Sequence, residues 1–294
     1  MLTAAQEAGL GAAHPSVGST LHNLAGMYLQ KRDFGAAART CASALSRKEQ
    51  ALGRLHPEYA ASLAQLAEVY RLQGRLVDAA ALLRESTDIL DAIGAGQSRA
   101  AVGRLSRLAH LLTETGLAAE AVATHRRLVQ AAESRVDEMP LEMVRAQAEL
   151  AEALTAIPGG WAEARELCRS SLALALSSLG GEHPFVACIR RRLADALLGD
   201  SSPSPRALEE ARGLIDAALP VLAREAALPQ ARAASAFEAA AALVSRLVLL
   251  QRLGEAGADD AAAAARESAL ALPPSFRREV LLARLRAASA AELA

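Results

Sequence analysis

From Leu52 to Ile93 the apolar positions fall into two helical stripes. Leu63, Leu66, Ala67 and Tyr70 stand at i, i+3, i+4 and i+7, one face of a 3.6-residue period, and Leu76, Ala79, Ala80, Leu83 and Leu90 form a second face. Gly74 lies between them, where a residue free to take the left-handed conformation ends the first helix cheaply. Neither helix can bury its stripe alone, so the hairpin needs neighbours.

Those neighbours are copies of itself. A Leu-Ala pair recurs at Leu24-Ala25, Leu66-Ala67, Leu108-Ala109, Leu150-Ala151 and Leu193-Ala194, in steps of 42, 42, 42 and 43. His14-Pro15 returns as His56-Pro57 and His183-Pro184. In the second helix a small residue recurs at Ala37, Ala79, Ala121, Ala164 and Ala211, where a bulkier side chain would push paired helices apart. Four residues later come Cys41, Leu83, His125, Cys168 and Ile215, and three further on Ala44, Ser86, Leu128, Ser171 and Ala218. The fifth copy carries an insertion, Gly199 to Pro205, in the loop before its second helix, where it costs little.

The pattern Leu21-x-x-Leu24-Ala25-x-x-Tyr28, followed by Ala37 and Ala44, resembles a tetratricopeptide repeat (TPR). The 42-residue period, with Gly53-x-x-His56-Pro57 and Leu63-x-x-Leu66-Ala67-x-x-Tyr70-x-x-x-Gly74, is similar to the longer repeat of kinesin light chains. The resemblance implies an all-α, right-handed superhelical α-solenoid of helical hairpins. It divides the chain into a TPR-like array over 1–228, with units near 11–52, 53–94, 95–137, 138–178 and 179–228, and a degenerate helical pair and capping helix over 229–294. In the third and fourth units Ser98-Arg99 and Met139-Pro140 replace His-Pro. Residues 4–10 read as the tail of a second helix without its partner, which is expected either of a short cap or of a longer array. After Pro229 the repeats lose register: 231–253 and 259–272 form one more pair about Gly254. Ser275 then caps a final arginine-rich helix, 276–293, whose polar face suits the end of an array.

Composition fits stacked hairpins rather than a core of large rings. Apolar residues make up 52% of the 294 but aromatics only 3%. The net charge of -1, with Lys31 and Lys48 the two lysines among the basic residues, gives no electrostatic case for nucleic acid or an anionic membrane. No run reaches the roughly 18 apolar residues of a membrane span, and the first residues carry no secretory or transit pattern. Cys41, Cys168 and Cys188 are far apart, so a disulfide framework or zinc knot is not expected, and the compartment reads as reducing: cytoplasmic, with organellar or ciliary as alternatives.

No catalytic, cofactor or metal constellation stands out. Gly94-Ala-Gly96 lies between helices and reads as a linker rather than a phosphate cradle. His14, His56 and His183 precede proline at repeat boundaries and read as turn residues that begin a helix; Cys41, Cys168 and His125 share a packing position; Trp161, after Pro158-Gly-Gly, reads as cover for a hairpin turn. An enzyme would need His110, Glu114 and Glu152 within hydrogen-bond reach, which spacing does not predict.

In the family that the chain resembles, residues one and five positions after the first helical leucine often face the ligand groove. Carried over, these are His22, Ala64, Ser106, Ala148 and Arg191, then Gly26, Glu68, His110, Glu152 and Asp195; four positions beyond the second set come Gln30, Leu72, Glu114, Ala156 and Gly199. The candidate groove set is therefore His22, Gln30, Glu68, Leu72, His110, Glu114, Glu152, Arg191 and Asp195. His22 with Gly26 and Ala64 with Glu68 do not reproduce the lysine and asparagine clamp of chaperone-binding members. Histidine, alanine and serine stand where kinesin light chains carry asparagine, so the cargo motifs of those proteins do not transfer. Glu68, Glu114, Glu152 and Asp195 predict a mildly acidic groove for a basic or mixed-charge peptide or partner helix. The expected function is a non-catalytic interaction scaffold. The alternatives are a structural subunit of a large ciliary or organellar assembly, or the sensor portion of a larger signalling protein.

Overall fold

A computed structural model describes residues 14–134, 140–200, 202–228 and 233–290, and among them thirteen α-helices and no strand occur. Met139 and residues 4–10 lie outside the described residues. The contacts divide the chain into two compact units, Met1–Ser134 and Arg135–Ala294, so the described parts of each are taken in turn.

Unit 1 holds three hairpins: α1 (Pro15–Gln30) with α2 (Phe34–Leu52), α3 (Pro57–Leu72) with α4 (Leu76–Ala92), and α5 (Arg99–Glu114) with α6 (Ala118–Glu133). Each helix packs on the one before and the one after it, and α1 also touches α3. Isolated helices of this length are marginal in water, so the stripes must be buried between hairpins. They are: Ala64 and Ala67 of α3, Ala79, Ala80 and Leu83 of α4, and Leu108, Leu111 and Leu112 of α5 form one continuous cluster.

The local starts and stops follow from chemistry. The Nδ1 atoms of His14 and His56 accept from the backbone amides of Ser16 and Glu58 at 3.2 and 3.1 Å, with proline at the first helical position, where no amide hydrogen is needed. Ser98 caps α5 in the same sense, its hydroxyl accepting from Ala101 at 3.2 Å. Gly74 takes φ 78° and Gly116 φ 75° at the hairpin turns, as the sequence predicts for Gly74; in the first hairpin Arg32 holds the equivalent position at φ 59°.

Unit 2 contains α7 (Pro140–Leu154) with α8 (Trp161–Leu179), α9 (Pro184–Leu198) with α10 (Pro205–Ala226), α11 (Ala233–Leu253) with α12 (Ala258–Leu270), and a last helix, α13 (Phe276–Ala290). The first helices lie side by side, α7 on α9 and α9 on α11, and α13 packs on both α11 and α12. His183 begins α9 by accepting from Phe185 at 3.1 Å, and after the insertion Ser204 begins α10 by accepting from Ala207 at 3.2 Å. Ser275 caps α13, accepting from Arg278 at 3.2 Å, as expected.

The repeated positions of the second helices are buried in both units. Ala37, Ala79, Ala121, Ala164 and Ala211 are all buried; so are Cys41, Leu83, His125, Cys168 and Ile215, and Ala44, Ser86, Leu128, Ser171 and Ala218. Burial raises the thiols of Cys41 to about 11 and of Cys168 to about 12, which suits packing residues rather than nucleophiles. By length and composition α11 could cross a membrane, but it packs against α9, α10, α12 and α13 and carries a buried, ion-paired Glu238, as a core helix does.

Candidate functional site

The groove candidates of unit 1 sit on α1, α3 and α5, and they differ in exposure. Gln30, Leu72 and Glu114, at the helix ends, are exposed, and Glu68 and His110 are half-buried. Glu68 is held by Arg71 of its own helix through two bonds, 2.6 and 2.8 Å, and the charge of Glu114 also acts on Arg71. The surface is therefore of mixed charge rather than simply acidic. The ring of His110 meets that of His125 edge-on, with centroids 6.4 Å apart.

His22 belongs to the packing between hairpins. Its Nδ1 lies 3.2 Å from the Ser62 hydroxyl, and its backbone carbonyl accepts from the Gln65 amide at 3.0 Å, both on α3. Burial, followed by the nearby Lys48, lowers the pKa of its ring. Lys48, one of the two lysines, is buried beneath Gly18; its ammonium donates to the Glu58 carbonyl at 3.2 Å and pairs with the Glu58 carboxylate at 3.4 Å. Periodicity did not single it out.

In unit 2 the equivalent positions are not an open surface. Arg191 and Asp195 are 4% and 6% exposed, and Glu152 is half-buried. Arg191 donates to Asp195 at 2.7 Å and to Glu238 of α11 at 2.8 Å. Arg192 joins Glu152 at 2.7 Å and Glu238 at 3.4 Å. The Ser245 hydroxyl donates to Asp195 at 2.6 Å. From α13, Arg284 donates to both Asp195 oxygens, at 2.9 and 3.2 Å, and Arg277 lies 3.5 Å from Glu152. Burial alone would raise the Asp195 carboxyl, but Arg284, Arg191 and the Ser245 hydroxyl together hold it below its ordinary value. Thus Glu152, Arg191 and Asp195, expected to line a groove, are knitted into a charge network under α11 and α13. The register locates them correctly on first helices; a helix remote in sequence covers them. Of the partners that the sequence reading missed, Arg277 and Arg284 left one trace, a spacing of two helical turns.

Beside this network a cavity of about 720 Å³ opens between Trp161, Asp195, Gly199, Val248 and Arg284. The indole of Trp161 rests on Gly199 of the next hairpin, so Trp161 covers the end of α9. Among the described residues no three metal-ligating side chains converge.

Residues 4–92 match the tetratricopeptide repeat family. No curated protein sequence matches the chain. Among solved structures, the nearly identical TPR-like repeats assigned to a kinesin light chain of Podosopora anserina are 25% identical, over 73% of this chain and 99% of theirs, with a TM-score of 0.58. BtubC (BKLC) from P. vanneervenii is 15% identical over 82% of this chain and 91% of its own, also at 0.58. The assembly chaperone of RpL4 is 16% identical over 94% and 97%, at 0.53. The last two likenesses concern the fold alone. Residues 4–92 are thus tetratricopeptide repeats, and the chain is similar in fold to the TPR-like repeats of kinesin light chains, a kind of array that serves protein interaction.

Proposed function

We propose that the protein is a non-catalytic scaffold whose first-helix face in unit 1 holds an extended peptide or a partner helix of basic or mixed charge. The observation that carries this reading is that Glu68 and His110 remain half-buried on the first helices, with Gln30, Leu72 and Glu114 exposed beyond them, whereas Asp195, at the place equivalent to Glu68, and Arg191 in unit 2 are buried. Leu72, 39% exposed, gives an apolar foothold beside Glu68, Arg71 and Glu114. A surface preformed by packed helices limits the ordering cost of binding to the partner's side. The three thiols, all free, fit a reducing, cytoplasmic setting.

The test is selection of a displayed peptide library on the full chain, with parallel selection on a Glu68→Ala, His110→Ala, Glu114→Ala variant of unchanged helix content. Peptides rich in arginine or lysine are expected on the parent and not on the variant. Enrichment of acidic peptides, or equal capture by both proteins, overturns the reading. A structural subunit of an assembly is the second reading, favoured by Leu55, 67% exposed beside a hollow lined by Ala81 and Ile89. Equal capture by both proteins turns attention to that surface.

A further inference from the structure

In unit 2 the network is completed from outside the repeats. Arg277 and Arg284 are seven residues apart, two turns of helix, and so project from one side of α13. Arg284 reaches Asp195 on α9, while Arg277 reaches Glu152 on α7 and lies over the Phe237 ring of α11 at 5.4 Å. Between and beyond them Leu281, Leu285 and Ala288 are buried in a cluster with Ala240, Ala241, Val244 and Leu247 of α11. One short helix therefore engages three successive first helices, by an apolar stripe flanked by two cations. That is how an amphipathic partner helix is held in a groove.

The side chains of this face favour a cationic partner, and the two contacts of α13 set where its charges stand. Glu152, Asp195 and Glu238 bring three carboxylates, and Arg191 and Arg192 two guanidiniums, so these repeat side chains are one positive charge short without α13. We propose that the first-helix face of unit 2 is a receptor for an amphipathic helix with two arginines two turns apart and leucines between them, and that α13 is its tethered, displaceable occupant. Several features make α13 the removable element. It is joined by a short link, Ala271 to Ser275, containing Pro273-Pro274; its arginine side chains remain 32% and 37% exposed; and Val280 on its outer side is 43% exposed. A short tether gives α13 an effective concentration of order millimolar, so only a partner helix that binds well below that displaces it. The proposal rests on the reading that first-helix faces take partners, but concerns unit 2, whereas the library selection addresses unit 1.

The probe is a synthetic, fluorescently labelled peptide of residues 273–294, titrated into the full chain and into the full chain carrying Arg277→Glu and Arg284→Glu. Trp161, the sole tryptophan, shares a cavity with Arg284 and Ala288 and reports on the same site. The doubly substituted chain is expected to bind the peptide at least ~10-fold more tightly than the parent does, with a change in Trp161 emission. A peptide with both arginines replaced by glutamate should not bind, and Glu152→Gln in the receptor should weaken binding. No binding to either protein, or binding indifferent to the arginines, overturns the proposal while leaving the unit 1 reading standing. Should the doubly substituted chain fail to fold, hydrogen exchange on the parent decides: α13 amides exchanging at least ~10-fold faster than those of α11 support a displaceable helix, and equal protection overturns it.

Discussion

The indole of Trp161, the first residue of α8, lies so close to Gly199, at the end of α9, that a Cβ there would stand 2.2 Å from its ring carbons Cδ2 and Cε3. The backbone of Gly199 is ordinary, φ -72°, so this glycine is required by close approach and not by conformation. Gly199→Ala should therefore destabilise unit 2 by about 1–3 kcal/mol through forced displacement of the ring. Urea unfolding followed by Trp161 emission checks this, and an unchanged midpoint would show that the ring moves aside freely.

Arg32 makes the opposite case. It holds φ 59° at the turn where the next two hairpins place Gly74 and Gly116. A side chain in that region costs roughly 1–2 kcal/mol, part of which glycine would return to unfolded-chain entropy. Arg32→Gly is expected to raise the thermal midpoint of the protein, and a lowered midpoint would mean that the Arg32 side chain makes a compensating contact.

Arg191 stands between Asp195 and Glu238 with almost no access to water. Arg191→Met removes a cation shared by two buried carboxylates and should cost about 3–5 kcal/mol. Changing Arg191, Asp195 and Glu238 together to apolar residues of similar size should recover most of that loss, because desolvation of the charges offsets much of their attraction. Chemical denaturation of the single and triple variants separates the two effects; equal destabilisation by both would rule out this account of the network.

The depressed Asp195 carboxyl ties the stability of unit 2 to pH with a definite sign. A carboxylate whose pKa is lower in the folded than in the unfolded chain stabilises the fold above its unfolded value, about 3.9. That stabilisation is lost as pH falls through the lower, folded value. The gap in melting temperature between the parent and Asp195→Asn should be constant from about pH 5 to 7 and narrow below about pH 4. A gap independent of pH down to acid unfolding would show that Asp195 is not held ionised by Arg284 and Arg191.

The small positions of the second helices give a control in unit 1. Ala79 is fully buried between hairpins, whereas Leu72, seven residues earlier, is exposed. Ala79→Leu should cost about 1–3 kcal/mol by overpacking, and Leu72→Ala less than about 0.5 kcal/mol. Thermal melts of the two variants test the contrast, which fails if Leu72→Ala proves the more damaging.

The sequence by itself determined the hairpins, their 42-residue register, the histidine and serine helix starts, the Gly74 turn and the buried alanine and cysteine positions. Each depends on residues close along the chain, or on a period that repeats locally, so helical geometry alone makes it legible. Only the tertiary structure decided which first-helix positions face solvent. Glu68 and Asp195 occupy equivalent places in their repeats, yet Glu68 pairs within its own helix while Asp195 is enclosed by Arg191, Ser245 and Arg284, the last 89 residues away. Periodicity records how a helix meets its neighbours in register; it carries no information about a terminal helix that leaves the register and folds back on the array.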